Sequence, residues 1–119
     1  MKKLMNELVR FEELGKIRDA ANLNGDYKSG NRAYHDMEKI YRIAAGDSDR
    51  DKFYLAILES AVSPSALITC CAHMMRMDIH AELARKQLEE MVNDLTYHPL
   101  VRFNAKIFLS EWDQGHIKR

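Results

Sequence analysis

The chain has 119 residues, and its 18 basic side chains balance 18 acidic ones to a formal net charge of zero. That length suits one compact domain, and 46% apolar with 30% charged residues is a globular rather than a disordered composition. The balance removes the electrostatic footprint of a chain built to grip nucleic acid, and only two Pro and five Gly argue against collagen-like, linker-like or turn-rich all-β chains.

Helical periodicity dominates from the start. Leu4, Leu8, Phe11, Leu14 and Ala21 recur at helical spacing and predict a first helix over about 3–22. Gly25-Asp26 supplies a stop and then an N-cap. A second helix follows to about residue 45, with Tyr27, Gly30, Tyr34, Met37, Tyr41 and Ala44 as a stripe alternating in threes and fours. Such a stripe approaches a coiled-coil seam, so the first two helices are expected to form an antiparallel hairpin over 1–46. The polar turn Gly46-Asp47-Ser48-Asp49 ends it and caps a third helix over about 50–61, whose apolar face is read as Tyr54, Leu55, Leu58, Ala61 and Val62.

Ser63-Pro64 restarts the chain, because Ser caps free N–H groups and Pro at the first helical position sacrifices no bond. The fourth helix is expected to end near residue 77. A fifth spans about 79–95, with Ala84, Leu88, Met91 and Leu95 on one face. His98-Pro99 is a second restart, and the sixth helix carries Val101, Ala105, Phe108 and Trp112 before a stop at Gly115. No segment alternates with the period of a strand.

Pro64 and Pro99 also frame a repeat. At their offset Ala66 matches Val101, Cys70 matches Ala105, Met74 matches Leu109 and Met77 matches Trp112. Repeat periods of ~33–47 residues belong to helical solenoids, whose units bury their apolar faces against neighbours. The expected architecture is therefore all-α: a helical hairpin over 1–46, then two helix pairs over 47–78 and 79–115, forming a short α-solenoid within one domain.

Pro99-Leu100-Val101-Arg102 followed by Ala105 and Leu109 resembles the second helix of a HEAT repeat. Nearly the whole chain is similar to a family of small bacterial HEAT-like proteins of unassigned function, through Gly25-Asp26-Tyr27, Asn31, Tyr34, Ala105, Leu109, Glu111-Trp112 and Gly115. The first HEAT-like unit departs from the pattern, with Leu67 where the counterpart of Arg102 belongs. The resemblance implies an all-α fold without enzyme activity. Members of such families often sit beside toxin genes, which implies an immunity protein.

His73, Asp78, His80 and Glu82 cluster near the turn after the fourth helix, but their spacing matches no metal-ligand motif. Glu12-Glu13 and Glu89-Glu90 are adjacent pairs, and successive helical residues do not face each other, so both pairs are read as solvated faces. Arg102 is expected to pair with a nearby carboxylate. The methionines are read as core filling, on apolar stripes. Neither a phosphate-binding loop nor a nucleophile motif is present.

Compartment follows from two absences. Met1-Lys2-Lys3 leads into Leu4-Met5-Asn6-Glu7-Leu8-Val9-Arg10, whose charges interrupt any signal-peptide core, and no run of ~18 apolar residues occurs. Adjacent Cys70 and Cys71 point in different directions on a helix and do not readily bridge each other. Two free thiols suit a reducing cytoplasm. No metal and no cofactor are expected.

The neutral total hides a pattern. Residues 1–46 are net +2, residues 47–98 net −4, and the tail from Pro99 net +2. The acidic centre holds Asp47, Asp49, Asp51, Asp78, Glu82, Glu89, Glu90 and Asp94, which are the candidate partner-binding residues. Their charge suits a basic protein such as a nuclease toxin, held by steering and complementarity. The leading expectation is thus a cytoplasmic, non-enzymatic immunity protein that occludes a toxin. The alternatives are a HEAT-like nucleic-acid binder, disfavoured by the charge, and a scaffold subunit that self-associates.

Overall fold

Six α-helices form close to where the apolar spacing places them, in a computed structural model that describes residues 2–117. They are α1 (Lys2–Asn24), α2 (Tyr27–Ala45), α3 (Arg50–Ser60), α4 (Pro64–Met77), α5 (Ala81–Asn93) and α6 (Pro99–Asp113). No strand occurs among the described residues. The basic tail's last two charges, Lys118 and Arg119, lie outside them. Contacts divide the chain into two units, the first ending at Leu67 and the second beginning at Ile68, so the division falls inside α4.

In the first unit, α1 and α2 run antiparallel. Ala21 approaches Gly30, where an added Cβ would sit 3.4 Å from the Ala21 methyl. One turn back along α1, the Arg18 guanidinium lies 4.4 Å from the centre of the Tyr34 ring. Burial lowers the pKa of that guanidinium, and its Nη1 makes no hydrogen bond. The α1 face is Leu4, Phe11, Leu14 and Ala21, and α2 answers with Ala33, Met37, Ile40, Tyr41 and Ala44. Helix α3 closes on both: Phe11 meets Phe53 edge-on at 6.1 Å, and Tyr54 Oη donates to the Tyr41 carbonyl at 3.0 Å. Burying an aromatic of this size stabilises by ~1.5–3 kcal/mol, and the bond satisfies the one polar atom that Tyr54 takes inside.

Three expected core positions are corrected. Tyr27 is 77% exposed, so the α2 seam begins at Gly30. Val62 is 76% exposed because α3 ends at Ser60, and the buried face of α3 is Phe53, Tyr54 and Ile57. Leu95 is 78% exposed because α5 ends at Asn93, where Asp94 turns the chain by accepting from Thr96 N and Thr96 Oγ1 at 2.9 and 2.6 Å.

The start of α4 overturns another expectation. Glu12 does not belong to a solvated face: its Oε1 accepts from Val62 N at 2.8 Å and Ser63 N at 2.6 Å. Two turns along α1, Asp19 accepts from Ser63 Oγ at 2.6 Å and Ser65 N at 3.0 Å, and Ser63 Oγ accepts from Ala66 N at 3.1 Å. The opening N–H groups of a buried helix need partners. Here α1 supplies two carboxylates for that purpose, with a sign that also complements the helix dipole. Gly15 lies between them. A Cβ there would stand 2.5 Å from Ser63 Oγ, 2.7 Å from Ala66 Cβ and 3.0 Å from Ala66 N, so only glycine admits this approach.

In the second unit, α5 and α6 also run antiparallel: Arg85 reaches Asp113, and Arg102 Nε donates to the Val92 carbonyl at 3.2 Å. Arg102 also contributes to lowering the Asp94 pKa, behind the Thr96 hydrogen bonds. Ala84, Leu88 and Met91 of α5 and Ala105 and Leu109 of α6 are buried. The part of α4 in this unit is buried on most sides, with Thr69, Cys70, Cys71, His73, Met74 and Met75 all inside, as suits a stretch without a long polar stripe.

Three helices stop in the same way. The N–H groups of Asp26, Ile79 and His116 reach back to Ala21, Met74 and Glu111 carbonyls across a left-handed residue: Gly25, Asp78 and Gly115. Ile79 therefore belongs to the stop of α4, and α5 starts two residues later than its periodicity suggests.

Candidate functional site

The eight acidic candidates fall into two groups. Asp47, Asp49 and Asp51 surround the start of α3, where Asp47 Oδ1 accepts from Asp49 N at 2.8 Å and Lys52 Nζ lies 3.9 Å from Asp49. Asp51 is in the first turn of α3, where its charge favours the helix dipole. Asp49 holds the N-cap position of α3, but its side chain makes no capping hydrogen bond to the helix, so the turn ends the hairpin without the expected cap on α3.

The other five follow α5. Asp78 precedes it in the left-handed stop of α4, Glu82 lies in its first turn, Glu89 and Glu90 are on its exposed side, and Asp94 caps its end. Arg85 has its charge answered within the unit. Its Nη1 and Nη2 donate to the two Asp113 carboxylate oxygens at 2.8 and 2.9 Å, and its Nε lies 3.9 Å from Glu89. The bidentate hydrogen bonds raise the Arg85 pKa and hold Asp113 below the usual carboxylate range. Among the described residues Asp78 and Glu82 form no ion pair. Both line a shallow concavity of about 140 Å³ together with Met75, Ala81, Arg85 and Trp112. Trp112 stacks on Phe108 at 6.0 Å with ring planes 28° apart. Two carboxylates beside an aromatic and a thioether can receive a cationic side chain, by charge and by contact with its aliphatic stem.

Sequence reasoning missed a different surface on α6. Leu100, Phe103 and Ile107 are 37%, 57% and 44% exposed, on the side opposite buried Ala105 and Leu109. Their spacing of three and four is helical, but the same helix carries a second apolar set, Val101, Ala105 and Phe108, at the same period, and periodicity alone does not say which set faces inward. A second apolar feature is a groove of about 340 Å³ in the first unit, floored by Leu8, Val9, Ile57 and Ala61 and edged by Glu13, Lys16 and Ser60.

The remaining candidates for chemistry resolve into structure. Among the described residues no group of three or more His, Cys, Asp or Glu is placed to hold a metal ion. His73 is buried, while His80 occupies the N-cap position of α5 with a left-handed backbone and no side-chain capping bond, and is exposed. Cys70 and Cys71 are buried and unbridged. Burial pushes the Cys70 thiol well up and the Cys71 thiol up to about 12, so neither supplies a thiolate near neutrality. Glu89 and Glu90 are exposed, as a solvated pair should be. No described helix is long and apolar enough to cross a membrane. Comparison with protein-family models, curated proteins and solved structures returns no match.

Proposed function

We propose that this protein is a non-enzymatic protein-binding module that neutralises a cognate bacterial toxin by covering its active region. The observation that carries this is the concavity at the start of α5, where Asp78 and Glu82, without ion-pair partners among the described residues, stand beside Met75 and Trp112. Exposed unpaired carboxylates steer a basic partner and set its orientation, and the aromatic contributes contact area of the kind that anchors interfaces. Glu89, Glu90 and Asp94 extend the same charge along α5. Occlusion requires nothing of the protein beyond a stiff helix that presents these groups, in keeping with a cytoplasmic immunity protein that uses neither metal nor cofactor.

Co-expression with the product of a neighbouring toxin gene tests the proposal. Growth is expected to be rescued and the two proteins to co-purify. Asp78→Asn with Glu82→Gln is expected to slow association and flatten its salt dependence without lowering thermal stability. Absence of both rescue and co-purification refutes the proposal.

A further inference from the structure

Arg18 breaks the pattern of its own helix. Phe11, Leu14 and Ala21 turn an apolar stripe toward α2, and Arg18 falls on that stripe between Leu14 and Ala21. Its guanidinium lies 4.4 Å from the centre of the Tyr34 ring. A cation–π contact answers the charge but occupies none of the N–H groups with an oxygen. Nη1 is shut off from solvent without an acceptor, and a donor so placed costs free energy until an acceptor meets it. Departures of this kind from an otherwise consistent pattern concentrate at functional sites.

The next rung of the hairpin adds to it. Arg18 lies opposite Tyr34, and Asn22, one turn on, lies opposite Gly30, with Asn22 Oδ1 3.6 Å from where a Gly30 Cβ would stand. Gly30 brings no side chain to cover that amide. Arg18, Asn22 and Tyr34 are all half-buried. Among the described residues, none of the three makes a side-chain hydrogen bond or an ion pair. They offer guanidinium N–H groups, an amide NH2 and a phenol hydroxyl, on turns that i,i+4 spacing makes neighbours.

We propose that these two rungs bind a small oxyanion, the carboxylate or phosphate group of a small molecule. Arg18 supplies the charged fork that matches such groups in geometry and sign, and Asn22 and Tyr34 supply neutral donors beside it. Only Nη1 of the guanidinium is sealed, so its other N–H groups are open to a ligand arriving from solvent. Nearby carboxylates are committed elsewhere: Asp19 accepts from Ser63 Oγ and Ser65 N, and Asp26 from Ser29 N. The charge of Asp19 still acts on the guanidinium, which places the expected affinity in the millimolar range. The site lies wholly in the first unit and does not depend on the acidic residues of α5.

NMR titration of the full chain, labelled with nitrogen-15, tests this. Sodium phosphate and sodium acetate are added separately, with chloride holding ionic strength constant so that general screening is removed. At least one anion is expected to give saturable shifts at Arg18 Nε–H and the Asn22 amide. Saturation by phosphate alone assigns a phosphoryl ligand, and saturation by acetate alone a carboxylate. Arg18→Met, which continues the apolar stripe, should keep the thermal melt and abolish saturation at the Asn22 amide. Asn22→Ala should weaken binding about threefold or more at Arg18 Nε–H, and it serves if Arg18→Met does not fold. Shifts that grow linearly with both anions overturn the proposal and leave Arg18 as a strut between two helices. Saturation that survives Arg18→Met, or an affinity unchanged by Asn22→Ala, overturns it by placing the anion elsewhere.

Discussion

Helices α4 and α6 begin with the same device, a polar residue followed by proline, and the two starts live in opposite surroundings. At α4, Ser63, Ser65, Ala66 and Leu67 are all buried, and the N–H groups of residues 62, 63 and 65 go to carboxylates of α1. At α6, Pro99 and Leu100 are exposed, and the cap is local: His98 Nδ1 accepts from Leu100 N at 3.0 Å. Proline fixes where a helix can begin in both cases. What satisfies the freed donors depends on whether water reaches them. A solvated start needs one side chain nearby, whereas a buried start needs another helix shaped to receive it.

That contrast can be broken at the receiving helix. Gly15→Ala gains ~1 kcal/mol of helix propensity, but the new methyl meets Ala66 Cβ, Ala66 N and a Ser63 hydroxyl held by hydrogen bonds. None of these is the loose end of a flexible side chain, so the clash is expected to win. A net loss of ~1–3 kcal/mol should appear in urea unfolding, and Gly15→Val should lose more. Gly15→Ala that stabilises would show that the notch is not tight. Next in size, Asp19→Ala strands Ser65 N and Ser63 Oγ and is expected to cost about 2 kcal/mol. The double variant with Glu12→Ala should be non-additive, because both cap one helix start.

The exposed start should be more forgiving. His98→Ala is expected to cost about 1 kcal/mol or less, and His98→Ser to restore most of it, read by the same unfolding curves. A cost at His98 equal to that at Asp19 would erase the distinction between the two starts. The smallest effect is expected at the stop of α4. Asp78 takes a left-handed backbone (φ 56°) where the other two stops use Gly25 and Gly115. Asp78→Gly should therefore raise stability by ~0.5–1 kcal/mol. If Asp78 meets a partner, the same variant binds it more weakly, so stability and binding move in opposite directions.

Much of the fold was legible. The two prolines, Gly25 and Gly115 mark local backbone events, and all four fall at helix ends as their chemistry requires. The α2 stripe from Gly30 to Ala44 was readable because one face of that helix meets one surface. Legibility failed where a residue's role is set by a distant segment. Glu12 resembles Glu89 in sequence, each followed by another glutamate, yet the first caps a buried helix and the second is solvated. Nothing within several residues of either distinguishes them. Leu95 and Val62 continued an apolar spacing past the point where the backbone had stopped being helical, so periodicity overran each helix by two residues. The candidate site was half visible. The acidic residues could be picked by charge, but neither the Arg85–Asp113 pairing nor the neighbourhood of Trp112 could be, since both need α5 and α6 folded together.

The seat of α4 on α1 bears on the order in which the first unit assembles. Asp19 and Ser63 are 44 residues apart, and Glu12 and Ser63 are 51 apart, whereas α1 and α2 are joined by a tight turn. Local pairings close cheaply and early, and distant ones wait for the loop entropy between them to be repaid. On the ribosome the α1–α2 hairpin can thus form while Glu12 and Asp19 still face water. The two carboxylates are captured only when residues 62–66 emerge, which makes Gly15 a late checkpoint in folding.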